Sequence, residues 1–126
     1  MKTAVVLKGD KAAAHNNLAL TLFENKQYED ALISYSKAIS FEPSGVHYNN
    51  RGLTNYFYEK YDEAKDDFDK AIEFDPSDPT IYFNRGNVYL NWNENLDYLA
   101  AHSDYDKALK IAPNNPKLWH AKGLAY

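Results

Sequence analysis

The feature that most constrains this chain is a repeat with a period of about 34 residues, which becomes visible when the sequence is aligned with itself. The segment from Tyr48 to Gly52 recurs at 82–86 and again at 119–123. A weaker copy begins one period before Tyr48, at His15. Such a period is typical of units that bury their apolar faces against neighbouring units, so it predicts a solenoid.

The second half of each unit repeats as well. Every copy has a tyrosine, an alanine three residues later, then an aromatic residue, a second alanine and a proline. In the copy that contains Ala64, Phe68, Ala71 and Ile72, apolar residues recur at i, i+3, i+4 and i+7, the spacing of one helical face. Proline ends each helix because it has no N–H to donate. We therefore predict helices near 12–25, 28–41, 46–58, 61–74, 79–93, 98–111 and 116–126.

Together these columns resemble the tetratricopeptide repeat (TPR), whose pattern is aromatic, Leu, Gly and Tyr in one helix and Ala, Phe, Ala and Pro in the next. The resemblance implies an all-α, right-handed solenoid of antiparallel helix pairs. It divides the chain into an N-terminal extension, 1–11, and a repeat domain, 12–126, with repeats at about 12–44, 45–78 and 79–115 and a terminal half-repeat at 116–126. It also implies a protein–protein interaction scaffold.

Composition and motifs argue against several other functions. The net charge of −4 gives no basic surface for nucleic acid or an anionic membrane, and the absence of cysteine fits an intracellular protein. No apolar run near the start is long enough for a signal peptide or a membrane span. The four histidines are scattered and no catalytic or phosphate-binding motif occurs. We expect a cytoplasmic protein that is not an enzyme and needs no cofactor.

Charged residues appear in pairs where the first repeat has uncharged ones. Arginine and aspartate occupy two columns in the second and third repeats, and a half-buried guanidinium needs such a partner. We expect each arginine to meet an aspartate either within its own repeat or across the stack, as from Asp67 to Arg85. The two columns contain Leu18 and Ser34, then Arg51 and Asp67, then Arg85 and Asp104.

Two further departures bear on the packing. The column that holds Tyr89 holds Asn55 in the second repeat, with Tyr56 one residue late. The third repeat has three extra residues before Tyr98. Either its first helix is longer, which would bring Trp92 and Leu96 to the edge as a partner contact, or a loop simply tolerates the insertion.

In TPR arrays the first helix of each pair lines the concave groove, and here those positions are rich in asparagine and nearly free of charge. Asn17, Asn50 and Asn84 share one column and predict a ladder of carboxamides that can pair with the backbone of an extended peptide. Tyr56 and Phe83 are the predicted aromatic anchors. The candidate partner-binding residues are Asn17, Leu20, Asn49, Asn50, Leu53, Tyr56, Phe83, Asn84, Asn87, Asn91 and His120.

A carboxylate clamp, with which some TPR co-chaperones hold the acidic tails of heat-shock chaperones, is disfavoured. The clamp needs cations to pair with the carboxylates. In the first possible frame its five positions are uncharged, and in the second they contain a single lysine. The first frame contains Asn16, Leu20, Asn50, Thr80 and Asn84; the second contains Asn49, Leu53, Asn84, Lys117 and Ala121.

The alternative to peptide capture is assembly. Residues 116–126 retain the small and aromatic positions on which a following helix would pack, and terminal repeats usually turn a polar face outward. We therefore expect the chain to be part of a longer repeat array, with self-association through this last helix as one possibility.

Overall fold

The computed structural model describes residues 8–92 and 97–114, and within them the chain is all-helical. Consecutive helices pack as antiparallel pairs, α1 with α2, α3 with α4 and α5 with α6, and each pair also contacts the next through α2 and α3 or α4 and α5. The helices are α1 (Lys8–Glu24), α2 (Tyr28–Phe41), α3 (Gly45–Phe57), α4 (Tyr61–Phe74), α5 (Pro79–Asn91) and α6 (Tyr98–Ile111).

The predicted bounds are confirmed for α2, α4 and α6, whereas α1 begins earlier than predicted. It starts at Lys8, so Asp10 lies in its first turn and does not cap it. A carboxylate there still interacts favourably with the positive end of the helix dipole. The predicted longer helix in the third repeat is wrong, because α5 ends at Asn91 and is no longer than α3. The predicted helix at 116–126 lies outside the described residues.

Caps and turns fix where the helices start. The side chain of Ser44 accepts a hydrogen bond from the backbone N–H of His47, and that of Asp78 accepts one from the backbone N–H of Thr80, with Pro79 at the start of α5. Lys26 and Glu59 both adopt a positive φ, 62° and 63°, in the tight turns inside the first two pairs. This conformation reverses the chain within a few residues and lets each second helix fold back on the first.

Small residues allow the paired helices to approach closely, as the repeat pattern predicts. A Cβ added to Gly52 would lie 2.8 Å from the ring of Phe68, and one added to Gly86 would lie 2.7 Å from the ring of Tyr105. Both rings are fully buried. The glycines therefore sit where the opposing aromatic residue leaves no room for a side chain, which offsets their low helix propensity.

Candidate functional site

The candidate residues lie on α1, α3 and α5, along the face on which these three helices contact one another. Their exposure varies along this face: Asn17, Leu20 and Asn91 are exposed, whereas Asn84 is buried. His120 lies outside the described residues. We call this surface the groove face; its members are Ala13, Asn16, Asn17, Leu20, Phe23, Val46, Asn49, Asn50, Leu53, Tyr56, Thr80, Phe83, Asn84, Asn87, Leu90 and Asn91.

Carboxamide pairs link successive helices across the groove face. The Nδ2 of Asn50 on α3 donates to the Oδ1 of Asn16 on α1, at 3.2 Å. In the same way the Nδ2 of Asn84 on α5 donates to the Oδ1 of Asn49 on α3, at 3.1 Å. These two hydrogen bonds thus join asparagine side chains that belong to different helices.

These pairs do not follow the column of Asn17, Asn50 and Asn84, whose binding to a peptide stays a prediction. Each link runs diagonally, from one column of a repeat to the preceding column of the repeat before it, so the partner of Asn50 is Asn16. Asn17 is exposed, and its side chain takes no part in these pairs. The sequence contained a signal for Asn16, since it precedes Asn49 by one repeat length.

A third link lies one helical turn or more further along the same face. The Nδ2 of Asn91 donates to the hydroxyl of Tyr56, at 2.9 Å, and to the backbone oxygen of Asn87, at 2.8 Å. The side chain of Asn87 points into the third repeat, where its Oδ1 accepts a hydrogen bond of 2.6 Å from the hydroxyl of Tyr105. Asn87 therefore belongs partly to the scaffold.

The two predicted aromatic anchors are half-buried. Phe83 packs against the ring of Tyr105, with centroids 5.8 Å apart, and Tyr56 packs edge-on against Tyr61, at 5.9 Å. Burial raises the pKa of the Tyr56 hydroxyl, with the nearby Tyr61 acting in the same direction. Each ring thus stabilises its own repeat while keeping part of its surface on the groove face.

His47 is a groove-face neighbour that the sequence did not single out. It is buried at the contact between α1 and α3, with its Nδ1 lying 3.2 Å from the Oδ1 of Asn16. Burial lowers the pKa of its imidazole, and the charge of Glu42 opposes that shift without reversing it. At neutral pH His47 is therefore uncharged and can donate to Asn16.

The expected arginine–aspartate pairs form within repeats. The Nη2 of Arg51 lies 2.7 Å from the Oδ1 of Asp67, and that of Arg85 lies 2.7 Å from the Oδ1 of Asp104. The contact across the stack is also present but has a different acceptor from the one proposed, because Arg85 reaches Asp69 at 2.8 Å. Both arginines are thereby assigned to the scaffold.

These ion pairs hold their charges although they are largely buried. Burial opposes the charge of Arg85, but the hydrogen bonds and charges of Asp104 and Asp69 outweigh it and raise the arginine pKa above its ordinary value. Burial raises the pKa of Asp67, against the opposing bonds from Arg51 and Asn55. The Nδ2 of Asn55 lies 2.9 Å from that carboxylate, which explains why asparagine replaces tyrosine in this column.

Comparison with known families identifies the class. A family model described as tetratricopeptide repeat matches residues 12–44, and a second, described as TPR repeat, matches residues 59–91. Together with the three described helix pairs, these matches show that the chain belongs to the TPR family. No curated protein matches the sequence at a significant level.

Solved TPR domains share the fold. The first TPR of Spaghetti (RPAP3), bound to the HSP90 peptide SRMEEVD, is 21% identical over 97% of this chain and 95% of that one, with a TM-score of 0.87. The Arabidopsis OM64 TPR domain is 21% identical over 94% and 96%, with a TM-score of 0.86. The second TPR domain of human RPAP3, in complex with the HSP70 peptide SGPTIEEVD, is 21% identical over 94% and 97%, also at 0.86.

Two negative findings apply to the described ranges, 8–92 and 97–114. No helix there is long and apolar enough to cross a membrane. No group of three or more histidines, aspartates and glutamates is arranged there to hold a metal ion.

Proposed function

We propose that this chain is a binding module, not an enzyme, and that it holds a peptide segment of another protein against the groove face. The observation that carries the proposal is a continuous surface across three helices that joins hydrogen-bonding carboxamides to apolar side chains. Leu20 is 37% exposed on this surface, and half-buried Leu53 and Tyr56 continue it. Buried aromatic and apolar anchors beside polar groups are what peptide-binding grooves use.

The comparisons support the same proposal. Two of the three similar structures described above contain a bound peptide, from HSP90 in one and from HSP70 in the other. This chain differs from a carboxylate clamp at the positions that would need cations, since Asn16, Thr80 and Asn84 are uncharged. The fold is therefore shared with peptide-binding domains, while the chemistry of the groove face favours a different peptide.

The experiment that tests the proposal is affinity capture with two matched variants. Leu20→Lys with Asn91→Lys places two cations on the groove face at exposed positions, so the helices should remain intact. Ile33→Lys with Ser40→Lys places the same charges on α2 at exposed positions away from that face. We expect partner capture to be lost only in the first variant. Capture that survives in the first variant, or is lost equally in both, would contradict the proposal.

Assembly is the second candidate, and one observation favours it. Leu18 is 51% exposed, although its column in the later repeats holds Arg51 and Arg85, which contact the preceding helix pair. The first repeat thus has an uncovered apolar position where another repeat could stack. Size-exclusion chromatography with light scattering tests this: a monomer mass at every concentration would remove the assembly function for this chain.

A further inference from the structure

We propose that this chain has a second binding surface, at the turns inside the first two helix pairs, and that it holds a lysine- or arginine-rich segment of another protein. The inference goes beyond the proposed function, because it concerns a ligand of different chemistry and residues mostly outside the groove face. It follows from a row of aromatic rings, from the exposure of two of them and from the carboxylates beside them. We call this surface the aromatic row; its members are Phe23, Tyr28, Tyr56, Phe57, Tyr58 and Tyr61.

The six rings form one continuous series of contacts. Tyr28 packs against Tyr58 on one side, with ring centroids 6.0 Å apart, and against Phe23 on the other, at 5.7 Å. Phe23 then contacts Phe57 at 5.6 Å, and Phe57 contacts Tyr56 at 5.3 Å. The edge-on contact of Tyr56 described above adds the sixth ring. Because rings from both of the first two helix pairs take part, the row crosses from one pair to the next as a single surface.

Phe57 and Tyr58 expose more of their rings than the fold requires. Phe57 is 51% exposed and Tyr58 is 38% exposed. The column of Phe57 holds Glu24 in the first repeat and Asn91 in the third, and each of these three residues is the last of its helix. A polar residue therefore ends the corresponding helix in the other two repeats. Exposed apolar surface with polar surroundings is characteristic of interaction sites.

Carboxylates beside the aromatic row determine which charge its ligand carries. Six acidic residues lie within two sequence positions of a ring of the row, against two lysines, and all eight are exposed. None of the six forms an ion pair with another residue in the described ranges, 8–92 and 97–114. Their charge therefore attracts a cationic ligand and repels an anionic one. The acidic residues are Glu24, Glu29, Asp30, Glu59, Asp62 and Glu63, and the lysines are Lys26 and Lys60.

A lysine of the chain already contacts a ring of the row. The Nζ of Lys60 lies 5.2 Å from the centroid of the Tyr58 ring, within the roughly 6 Å at which the face of an aromatic ring attracts a cation. Burial raises the pKa of the Tyr61 hydroxyl, and the charge of Glu59 raises it further, so negative charge also acts on this end of the row. A lysine or arginine of a partner can make the same contact with Phe57 and place its charge beside a carboxylate.

The chemistry of the row favours a basic protein segment over other occupants. Nucleic acid and anionic lipid surfaces carry phosphates, which the carboxylates repel. A neutral apolar segment would cover the rings but would remove exposed carboxylates from water without providing a counter-charge. Two copies of the row facing each other would bring their carboxylates together. A segment that contains lysine or arginine satisfies the rings and the carboxylates at once.

The first test measures the binding of three synthetic peptides of about ten residues, which extend over roughly 33 Å and can follow the row. Their termini are blocked; one alternates lysine and arginine with serine, and the other two carry glutamate or glutamine in place of the basic residues. Fluorescence anisotropy measures their affinity for the intact chain. We expect only the basic peptide to bind saturably, with a Kd that increases several-fold between about 0.05 M and 0.5 M salt. Equal binding of either other peptide, or no binding of the basic one, would overturn the proposal.

A pair of matched variants tests the contribution of the rings. Phe57→Asn with Tyr58→Asn removes two exposed rings without changing the charge. Asparagine stands in the same two columns at Asn91 and Asn25, so the helix end should remain intact. The control, Phe74→Asn, removes a ring that is also 51% exposed from the C-terminal end of α4, where no member of the row lies. We expect binding of the basic peptide to weaken about tenfold in the first variant and less than twofold in the control. Unchanged binding in the first variant, or an equal loss in the control, would contradict a role for the rings.

A second pair of variants tests the contribution of the charges. Glu59→Gln with Asp62→Asn keeps every ring and removes two exposed charges beside the row. Glu73→Gln with Asp75→Asn removes the same charge at the C-terminal end of α4. Circular dichroism should show intact helices in all variants. We expect about fivefold weaker binding for the first and less than twofold for the second. Equal losses would show a general attraction to an acidic protein and would overturn a defined site.

A second copy of this chain is the competing occupant. Light scattering compares the mass of the wild type with that of the Phe57→Asn, Tyr58→Asn variant, and we expect no difference. An oligomer that this variant dissociates would mean that another copy covers the row, and it would overturn the proposal. Because Phe57 and Tyr58 are not members of the groove face, failure of these tests leaves the proposed function standing. The groove-face variants test that function in a separate experiment.

Discussion

The two junctions between helix pairs have the same geometry but different chemistry. At the second junction Arg85 bridges Asp104 in its own repeat, at 2.7 Å, and Asp69 in the preceding one, at 2.8 Å. At the first, Arg51 bridges Asp67 and the hydroxyl of Ser36, the latter at 3.1 Å. Ser36 and Asp69 occupy the same column of successive repeats. A neutral acceptor at the first junction therefore replaces an ionic one at the second.

The difference shows that the repeat fold sets where the interacting residues lie, while the residue type sets how strongly they interact. The helices bring one arginine and two acceptors together at each junction, and the residue type then sets the strength of the link. Hydrogen bonds to a charged acceptor are shorter and stronger than bonds to a neutral one. We expect the first junction to be the more easily separated of the two.

The largest expected effect comes from removing the aspartate inside a repeat. Asp67→Ala leaves both Arg51 and the buried Asn55 without their acceptor, and breaking a buried pair costs about 3–5 kcal/mol. Asp104→Ala should cost less, about 2–3 kcal/mol, because Asp69 still holds Arg85. Urea denaturation followed by circular dichroism measures both. The exposed Asp66→Ala is the control, and a larger loss for Asp104→Ala would contradict the comparison.

The next effect concerns the tight helix contacts and should be similar in both repeats. Gly52→Ala and Gly86→Ala each force a methyl group against a buried ring, and overpacking of this kind costs about 1–3 kcal/mol. Gly45→Ala serves as a milder comparison, because its Cβ would come no closer than 3.3 Å to a neighbouring atom, the backbone oxygen of Ala71, and we expect a smaller loss there. Thermal unfolding should show a clear decrease in Tm for the first two variants; a decrease as large for Gly45→Ala would indicate a general intolerance of alanine.

A smaller effect should follow from making the second junction resemble the first. Asp69→Ser removes the carboxylate that bridges Arg85 and Lys65, and because Asp69 is partly exposed the loss should be only about 0.5–1 kcal/mol. The difference from the wild type should decrease in about 0.5 M salt, since screening weakens exposed pairs. A loss that is independent of salt would show that the contribution of Asp69 is not electrostatic.

The smallest expected effect is a pH dependence of the unfolding free energy that arises from His47 at the first junction. Burial lowers the folded-state pKa of His47 below the unfolded value of about 6.5, so the unfolded chain binds the proton more readily. Its stabilising contribution is complete above that pH and is lost as the pH falls through the folded-state pKa. His47→Gln should flatten this part of the curve of unfolding free energy against pH. An unchanged slope in the variant would assign the dependence to other groups.

Much of the fold could be predicted because the repeat columns encode it directly. The period placed α2, α4 and α6 correctly, and the paired substitutions of Arg and Asp predicted the ion pairs within repeats. The start of α1 could not be predicted because its first turn precedes the repeat pattern and no proline or capping serine marks it. The proposed lengthening of α5 assumed that three extra residues would continue the helix, whereas they follow Trp92.

The sequence predicted which face of the helices carries the candidate residues, but not which of their side chains contact one another. The period assigned the asparagines to one surface, and the links between helices confirm that this surface is shared. Which amides pair depends on the diagonal offset between successive helices, which a column alignment does not contain. For the same reason Asp69 was missed as a partner of Arg85, and Asn16 was missed as the partner of Asn50. Binding of a partner by these residues stays a prediction.

The measurement that tests the central claim most directly is a ¹⁵N NMR titration with a synthetic peptide taken from a partner that the affinity capture identifies. The side-chain amide signals of Asn16, Asn49, Asn50 and Asn84 report on the groove face, and those of Gln27 and Asn114, which are not among its members, serve as the reference. We predict saturable shifts of the first set and unchanged signals for the second, with the helices α2, α4 and α6 little affected. Shifts confined to those helices, with the four asparagine signals unchanged, would contradict the claim that the groove face is the binding site.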